Sequence, residues 1–548
     1  MADMILAPKN LCLSNLSNLE NLSLVQNLGK NLNWSLNLSG LQNTYSIVKI
    51  DNDWVISIGY NNFPNMPSMT DSLRQLLFSF NENEIKNIKI KLVGQYILII
   101  KKDNFLYIFS DFIGGRNIFY NSQKNILSSS FSFVESIIGI RSEDLDPFKL
   151  AEFLAAREIL YPCWLGSKTA NKRINWLLPY EYIKVNLDMP EFEIRAISFY
   201  LNNKKESDII KLSEQLIDIL DSVIYKQEYE NDIVAASITG GRDTRLIASI
   251  VQKKYHKVHY RIAVSSFNKN SIKDLKIAKK ISKIDKVPLD IYELNIEEHE
   301  NIFRKLTEGF APAFNITIAP LIINANKYKI GFGGVYGTEI FTPIYAKTIS
   351  DYIHNINIRL RRRFEVNNDF YDYINSSLSD QFKSIKTYYK LQYDDDKDYI
   401  RLFQLLLTAR YSSFILSAYN QFSYDFEPFG SFGPIELALK IDESLWGNKK
   451  SLKGDALIEK YALFKISPEK AKVIAFSSYR PVMPLSLKSC PRFLLGFSLQ
   501  LLEWLTKKIY KRDKINYFQI SKSISYASND WQKYYIERFN KYLTTDSK

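Results

Sequence analysis

The run "SITGGRDTRL", residues 237–246, has the composition of a loop that holds an anion. Gly240 and Gly241 let a backbone approach a ligand closely and take a positive φ. Thr239 and Thr244 add hydroxyl donors. Apolar residues at Leu246, Ile247, Ile250 and Val251 place a helix directly after the loop. A helix start supplies unpaired N–H groups and the positive end of a dipole. That set suits a phosphate or pyrophosphate. Asp243 repels a bare phosphate, so it implies a cation, and Mg²⁺ coordination is the natural role. The other reading is a strand–turn–helix corner in which glycine makes the turn and Asp243 caps the helix. The run is not a Walker motif, because the four-residue gap and the Lys-Ser/Thr ending are missing.

Such a loop needs a sheet behind it. "DIVAASI" precedes it as a strand, and "VHYRIAV", "LDIYEL" and "YKIGFGG" follow as three more, with the helix "SIKDLKIAKKIS" between. Strands alternating with helices predict a parallel, doubly wound sheet, which binds ligands at the carboxyl ends of its strands. Ile209, Leu212, Leu216, Leu220, Val223 and Ile224 share one helical face ahead of that sheet. Beyond about residue 350 the pattern is mainly helical. Upstream, the period is two. "TYSIVKI" and "WVISIGY" flank "DND", and "QYILIIKK" and "FLYIFSD" flank Asp103-Asn104, which gives two hairpins. The fold class is therefore α/β: an antiparallel sheet domain over 44–200, then a parallel-sheet, nucleotide-binding domain over 205–548 with a helical C-terminal part. The polar run "NNKKESD" separates them. Residues 1–43, with leucine every third or fourth position among Asn and Ser, are expected to be an irregular extension lying on the sheet domain.

Bulk properties narrow the function classes. A chain of 548 residues with 46% hydrophobic residues holds two or three domains. A net charge of +13 fits an anionic partner without choosing one. The cysteines, Cys12, Cys163 and Cys490, are odd in number and widely spaced, so no disulfide framework or zinc set follows. His256 and His259 have no cysteine nearby and do not make a metal site. No apolar run is long enough for a membrane span, and no signal segment is visible, which predicts a cytoplasmic protein.

The loop resembles the "SGGxDS" pyrophosphate loop of the ATP pyrophosphatase (PP-loop) superfamily. "GVYGTEIF", Gly334 to Phe341, resembles the "GEGSDELF" segment of class B asparagine synthetases. "EPFGSFGPIELAL", Glu427 to Leu439, resembles their "RVPFLDxxLVEFAL", and "SPEKAKVIAFSSYRPVM" stands where they carry "lP..i..R.K". "DFIGGRNIFY", Asp111 to Tyr120, resembles "DxxGxxPLYY" of their glutaminase half. The chain is thus similar to the asparagine synthetase-like family over about residues 44–500. The resemblance implies an Ntn-hydrolase-like sheet domain and an ATP- and Mg²⁺-using domain that activates a carboxylate and forms an amide. Candidate ATP/pyrophosphate contacts are Ser237, Thr239, Gly240, Gly241, Asp243, Thr244, Val264 and Gly334, with Asp243 as metal ligand. Candidate catalytic residues are Glu339, near the acyl or amine end, and Lys472, with Lys470 and Arg480 as competitors for a charge-stabilising cation. "RLRRRF", Arg359 to Phe364, is read as a solvated helix face, the other reading being a hold on an acidic substrate or leader segment; "QLLLTARYSSFIL" is read as core packing, from which Arg410 could reach the site.

The departures are as informative. The family glutaminase uses an N-terminal cysteine, and here Met1 is followed by Ala2, so glutamine hydrolysis is expected to be lost. Thr338 stands where the family has a magnesium-binding Asp, and Val335 and Tyr336 replace a Glu and a Gly. The expected reaction is carboxylate adenylation followed by attack of an amine other than glutamine's. The layout is similar to β-lactam synthetases and lasso-peptide cyclases, so the amine can lie within a small-molecule or peptide substrate. Asparagine synthesis from ammonia, a non-catalytic nucleotide-binding scaffold and an RNA-modifying PP-loop enzyme are the alternatives. Against the last, no aromatic-rich basic module or zinc knuckle is visible.

Overall fold

The computed structural model describes residues 4–8, 22–28, 34–39 and 45–473, apart from short breaks at 65, 160–162, 190, 225–228, 267–268, 312, 364–367 and 449–453. Among the described residues twelve strands build the first half: β1 (Met4–Pro8), β2 (Leu22–Leu28), β3 (Trp34–Ser39), β4 (Tyr45–Ile50), β5 (Asp53–Asn62), β6 (Val93–Lys102), β7 (Phe105–Ser110), β8 (Phe119–Asn121), β9 (Ile126–Ser128), β10 (Asn175–Trp176), β11 (Glu181–Asn186) and β12 (Phe192–Ala196). They form two six-stranded antiparallel sheets, ordered β10-β8-β9-β1-β3-β2 and β12-β11-β7-β6-β5-β4. The sheets share one core, with Leu6, Trp34, Leu36 and Leu38 from the first and Ile56, Ile97, Ile99 and Ile108 from the second. Helices α1 (Met69–Ser79) and α2 (Ile85–Lys91) cover the outer face of the second sheet. Both faces of β6 are therefore buried: Ile97 and Ile99 point to the sheet–sheet core, Tyr96, Leu98 and Ile100 to the helices. That double cover is why "QYILIIKK" reads as a continuous apolar run rather than an alternation. Helix α3 (Phe131–Ile138) packs against β8 and β9 of the first sheet, and α4 (Pro147–Ile159) follows it in the chain.

The two expected hairpins are present, β4–β5 and β6–β7, and their turns hold Asp51 and Asp103 at φ 54° and 53°. Where residues 1–43 are described they are not an irregular extension but three strands of the first sheet, with Ile5 opposite Ser128 and Leu6 opposite both Leu127 and Leu36. The physical reason is alternation: Trp34, Leu36 and Leu38 enter the core shared by the two sheets, with a polar residue between each and the next, the period of a strand.

The second half is built on β13 (Phe199–Leu201), β14 (Val234–Ser237), β15 (Val258–Val264), β16 (Leu289–Glu293), β17 (Ile330–Phe332), β18 (Tyr389–Leu391) and β19 (Tyr424–Phe426). β13 and β18 pair with each other. The other five make a parallel sheet of order β16-β15-β14-β17-β19. Its helices are α5 (Ile209–Val223), α6 (Arg242–Lys254), α7 (Lys269–Asp285), α8 (Ile296–Leu306), α9 (Ala319–Ile323) and α10 (Gly337–Phe341). Then come α11 (Ile349–Arg363), α12 (Asn368–Tyr388), α13 (Asp396–Tyr419), α14 (Phe432–Leu439), α15 (Leu457–Ile466) and α16 (Pro468–Lys472). The fold class is the α/β arrangement expected, a pair of antiparallel sheets followed by a doubly wound parallel sheet and helices.

The two halves are packed together. Tyr180 stacks on Tyr388 with ring centroids 4.1 Å apart, and Tyr60 lies 4.8 Å from Phe426. Gln95 on β6 makes a reciprocal pair of bonds to the Glu427 backbone: its Oε1 accepts from the Glu427 N–H at 2.9 Å and its Nε2 donates to the Glu427 carbonyl at 3.1 Å. Arg410 on α13, considered as a residue that could reach the site, is instead buried and donates to the carbonyls of Trp164 (2.9 Å) and Gly166 (2.8 Å). Among the described residues no helix is long and apolar enough to cross a membrane.

Candidate functional site

The parallel sheet reverses its direction of growth at β14: β15 and β16 add on one side, β17 and β19 on the other. The crevice at such a reversal, outside the carboxyl ends of the strands, is where doubly wound sheets bind ligands. Two chain segments enter it. Residues 238–241 leave β14 and open α6, and residues 333–336 leave β17 and open α10. They touch: a Cβ on Gly334 would stand 2.8 Å from the Thr244 nitrogen, so only glycine lets the second loop lie against the first turn of α6.

The first loop is pre-shaped. The Thr239 and Thr244 hydroxyls are 3.0 Å apart, the Gly241 N–H donates to Thr239 Oγ1 at 3.2 Å, and the Gly240 N–H donates to Asp274 Oδ1 on α7 at 2.9 Å. α6 begins at Gly241 with no side-chain cap, so its first-turn N–H groups have no intrahelical partner. The helix-cap role considered for Asp243 is not the one it plays. Asp243 lies inside the first turn, and its Oδ2 accepts a 2.7 Å bond from Thr338 Oγ1 on α10. Ser237 ends β14 and its Oγ accepts from Arg261 Nε at 3.1 Å, while Val264 ends the neighbouring β15.

Charge accumulates around the crevice. Arg242 Nε donates to Glu459 Oε2 on α15 at 2.5 Å and lies 3.5 Å from Asp243 Oδ1. Burial, with the Asp243 charge beside it, pushes the Glu459 carboxyl well above the usual range, against the pull of Arg242. Arg245 is buried and donates to the Gly240 carbonyl at 3.0 Å and the Val473 carbonyl at 2.7 Å, which ties the loop to the end of α16. Burial lowers its guanidinium to about 10, opposed by Asp274. Below the loops, Arg261 and Asp425 form a buried pair at 2.7 Å. Glu427, after β19, accepts the Val335 N–H at 2.7 Å, and burial together with Asp425 holds its carboxyl well above the usual range.

The second loop is strained. Tyr336 sits at φ 76° with its ring fully buried, an unusual backbone state for a bulky residue, and strain of that kind concentrates at functional sites. Glu339, three residues on, is 9% exposed, within electrostatic reach of Glu427. Arg401 on α13 fixes the end of α10 by donating to the carbonyls of Ile340 (2.7 Å) and Thr342 (2.9 Å), with its guanidinium 3.6 Å above the Trp446 ring.

The structure thus gathers Thr239, Gly240, Gly241, Asp243, Thr244 and Gly334 at one place, with Ser237 and Val264 on the strand ends beside them and Glu339 on the facing helix. The candidate cations are distributed differently. Lys472 is half exposed, paired at 2.5 Å with Glu469 on its own short helix. Lys470 is buried against Asp285 at 2.5 Å, and burial pulls its ammonium below the usual range. Arg480 lies outside the described residues. In the basic run, Arg361 stacks 4.3 Å over Tyr371 of α12. His259 pairs with Asp290 at 2.8 Å and His256 with Glu230 at 3.4 Å. Among the described residues no group of three or more His, Cys, Asp or Glu side chains is placed to hold a metal ion.

Sequence reasoning missed Glu459, Asp274, Arg242 and Arg245, and quoted Glu427 without giving it a role. Arg242 and Arg245 carried a usable signal, since they lie in the loop and one turn later. Glu459 and Asp274 come from distant helices and carried none.

No family model matches this chain, and no curated protein matches it. Among solved structures it is similar to the glutamine phosphoribosylpyrophosphate amidotransferase from B. subtilis complexed with ADP and GMP, at 12% identity over 48% of this chain and 77% of that one, TM-score 0.21. It is similar also to NMN synthetase from Francisella tularensis, at 13% identity over 38% of this chain and 97% of that one, TM-score 0.21. A third is the allosteric regulatory enzyme of purine biosynthesis, at 11% identity over 47% of this chain and 51% of that one, TM-score 0.20. Likeness of this degree says nothing of the reaction, which has to be read from the site.

Proposed function

We propose that the chain is an ATP-dependent carbon–nitrogen ligase that adenylates a carboxylate and passes the acyl group to an amine. The observation that carries this reading is the meeting of the Thr239–Thr244 loop and the Gly334–Glu339 segment at the sheet's switch point. A carboxylate oxygen of the substrate attacks the α-phosphorus of ATP, the bond from that phosphorus to the β-phosphate bridge breaks, and pyrophosphate leaves. The amine nitrogen then attacks the acyl carbon, AMP leaves with the bonding pair, and a base takes the amine proton. Glu339 is the base or amine anchor. The Thr239 and Thr244 hydroxyls and the N–H groups opening α6 receive pyrophosphate, which competes with Asp274 for the Gly240 N–H. Asp243 would hold Mg²⁺, which would neutralise phosphate charge when bound. Most of the acceleration on this reading comes from positioning and charge neutralisation.

On this reading the amine does not come from glutamine. Among the described residues the cysteine is Cys163, which is buried; its Sγ donates to the Leu407 carbonyl at 3.8 Å, and burial pushes the thiol up to about 12, which suits packing rather than nucleophilic attack. The amine is then one within a small-molecule or peptide substrate, or one on a second molecule. The test is exchange of labelled pyrophosphate into ATP with a panel of carboxylic acids and peptides. Acid-dependent exchange is expected. ATP bound without exchange for any acid would favour a non-catalytic scaffold.

A further inference from the structure

Thr338 leaves Asp243 without the second carboxylate that the family resemblance asks for, and the fold brings one from elsewhere. Glu459, in the first turn of α15, is fully buried, and its Oε1 has no hydrogen-bond partner. Asp243 Oδ1 is also buried and accepts no hydrogen bond. Both side chains close on Gly337: a Cβ built there would stand 3.0 Å from Asp243 Cβ and Cγ and 3.0 Å from Glu459 Oε1. Glycine at 337 lets the two carboxyl groups approach the same point. Thr338 Oγ1 occupies the other oxygen of Asp243 at 2.7 Å, which leaves Oδ1 on the side where Arg242 meets Glu459. Two carboxylates share the single guanidinium of Arg242, which lies 2.5 Å from Glu459 Oε2 and 3.5 Å from Asp243 Oδ1. Buried carboxyl oxygens without donors, two carboxyl groups to one guanidinium, are what a hard cation satisfies.

We propose that Asp243 and Glu459 together form a divalent-cation site for Mg²⁺ or Mn²⁺, with Glu459 supplying the carboxylate that Thr338 lacks. Two protein carboxylates leave the remaining positions of the ion to water and phosphate oxygens, the usual arrangement for a metal that accompanies a nucleotide. Thr338 acts as a positioning residue that orients Asp243. The link to a nucleotide rests on the adenylation reading; the cation site itself does not.

The test is Mn²⁺ binding to the full chain, read by electron paramagnetic resonance of the free ion, with and without α,β-methylene ATP. The variants are Asp243→Asn, Glu459→Gln, Glu459→Asp and the pair Glu459→Gln with Thr338→Asp. Saturable binding to the unaltered protein is expected. Asp243→Asn and Glu459→Gln should each weaken it about tenfold or more, Glu459→Asp should weaken it by shortening the reach, and the double variant should recover most of the loss. Glu459→Gln keeps an acceptor for Arg242, and the unfolding midpoint of each variant confirms that it folds. Mn²⁺ binding that is indifferent to Glu459 overturns the site while leaving adenylation standing. Uptake that depends on Glu459 in a protein that never binds nucleotide supports the site and removes the adenylation reading. An unaltered protein that takes up no Mn²⁺ in either condition overturns the site without recourse to a variant.

Discussion

Asp243 reads directly from the sequence, because a carboxylate beside two glycines at a helix start has few reasons to be there. Its setting does not. The Arg242–Glu459 bond spans 217 residues, and nothing in "DALIEKY" marks its glutamate as the one that turns toward the loop. Asp243→Ala should preserve the far-UV circular dichroism spectrum, since the residue sits in the first turn of α6 and caps nothing. Pyrophosphate release with a competent acid should fall about 100-fold, the scale of losing one key electrostatic group. Undiminished release would restrict Asp243 to orienting Thr338. The lysines show the opposite limit of sequence reading. Lys470 and Lys472 look equivalent by spacing, yet one is buried against Asp285 and the other pairs at the surface with Glu469. Only the packing of α16 distinguishes them.

At the scale of elements, strong period-two patterning made the hairpins readable, and the alternation of strand and helix made the parallel sheet readable. The first three strands were obscured because leucine recurs at threes and fours through "NLSNLENLSL", which masks the alternation in "WSLNLS". The register of β6 against the second half was not readable at all. Gln95 looks like a polar residue in an apolar strand, and its partner is a backbone segment 332 residues away. Gln95→Ala would leave the buried N–H and carbonyl of Glu427 without their present partners, at a cost of about 1–3 kcal/mol. The expected result is a lower unfolding midpoint in urea, with the far-UV spectrum unchanged at zero denaturant. An unshifted midpoint would mean that water or another group replaces the amide.

For the molecule as a whole, a buried lysine should leave a mark on stability. Lys89 on α2 is 1% exposed and donates to the Pro179 carbonyl at 2.7 Å. Burial lowers its ammonium to about 7 from 10.5, despite the nearby charges of Asp111 and Glu181. The unfolded chain keeps that proton above pH 7 while the folded chain releases it, so the unfolded state binds more protons and this group makes stability rise with pH. Lys89→Met should flatten the rise between pH 7 and about 9, read as the difference in unfolding midpoints of the two proteins; parallel profiles would show that the lysine titrates alike in both states. The sheet domain should also release no glutamate from glutamine, and a turnover near the ordinary enzyme scale of about 1 s⁻¹ or more would reveal a nucleophile outside the described residues. The central claim, that the switch-point loop receives a nucleotide, is tested most directly by calorimetric titration of the full chain with Mg²⁺ and α,β-methylene ATP, beside Gly241→Val. Gly241 has φ −72° and ψ 163°, which valine adopts, and the added Cβ would lie 3.3 Å from Thr239 Oγ1, so the variant fills the loop without forcing the backbone. Binding by the unaltered protein and a loss of about tenfold or more in the variant, equivalent to about 1.4 kcal/mol, is the predicted result. Equal binding by the two proteins, or none by the unaltered one at millimolar nucleotide, would contradict it.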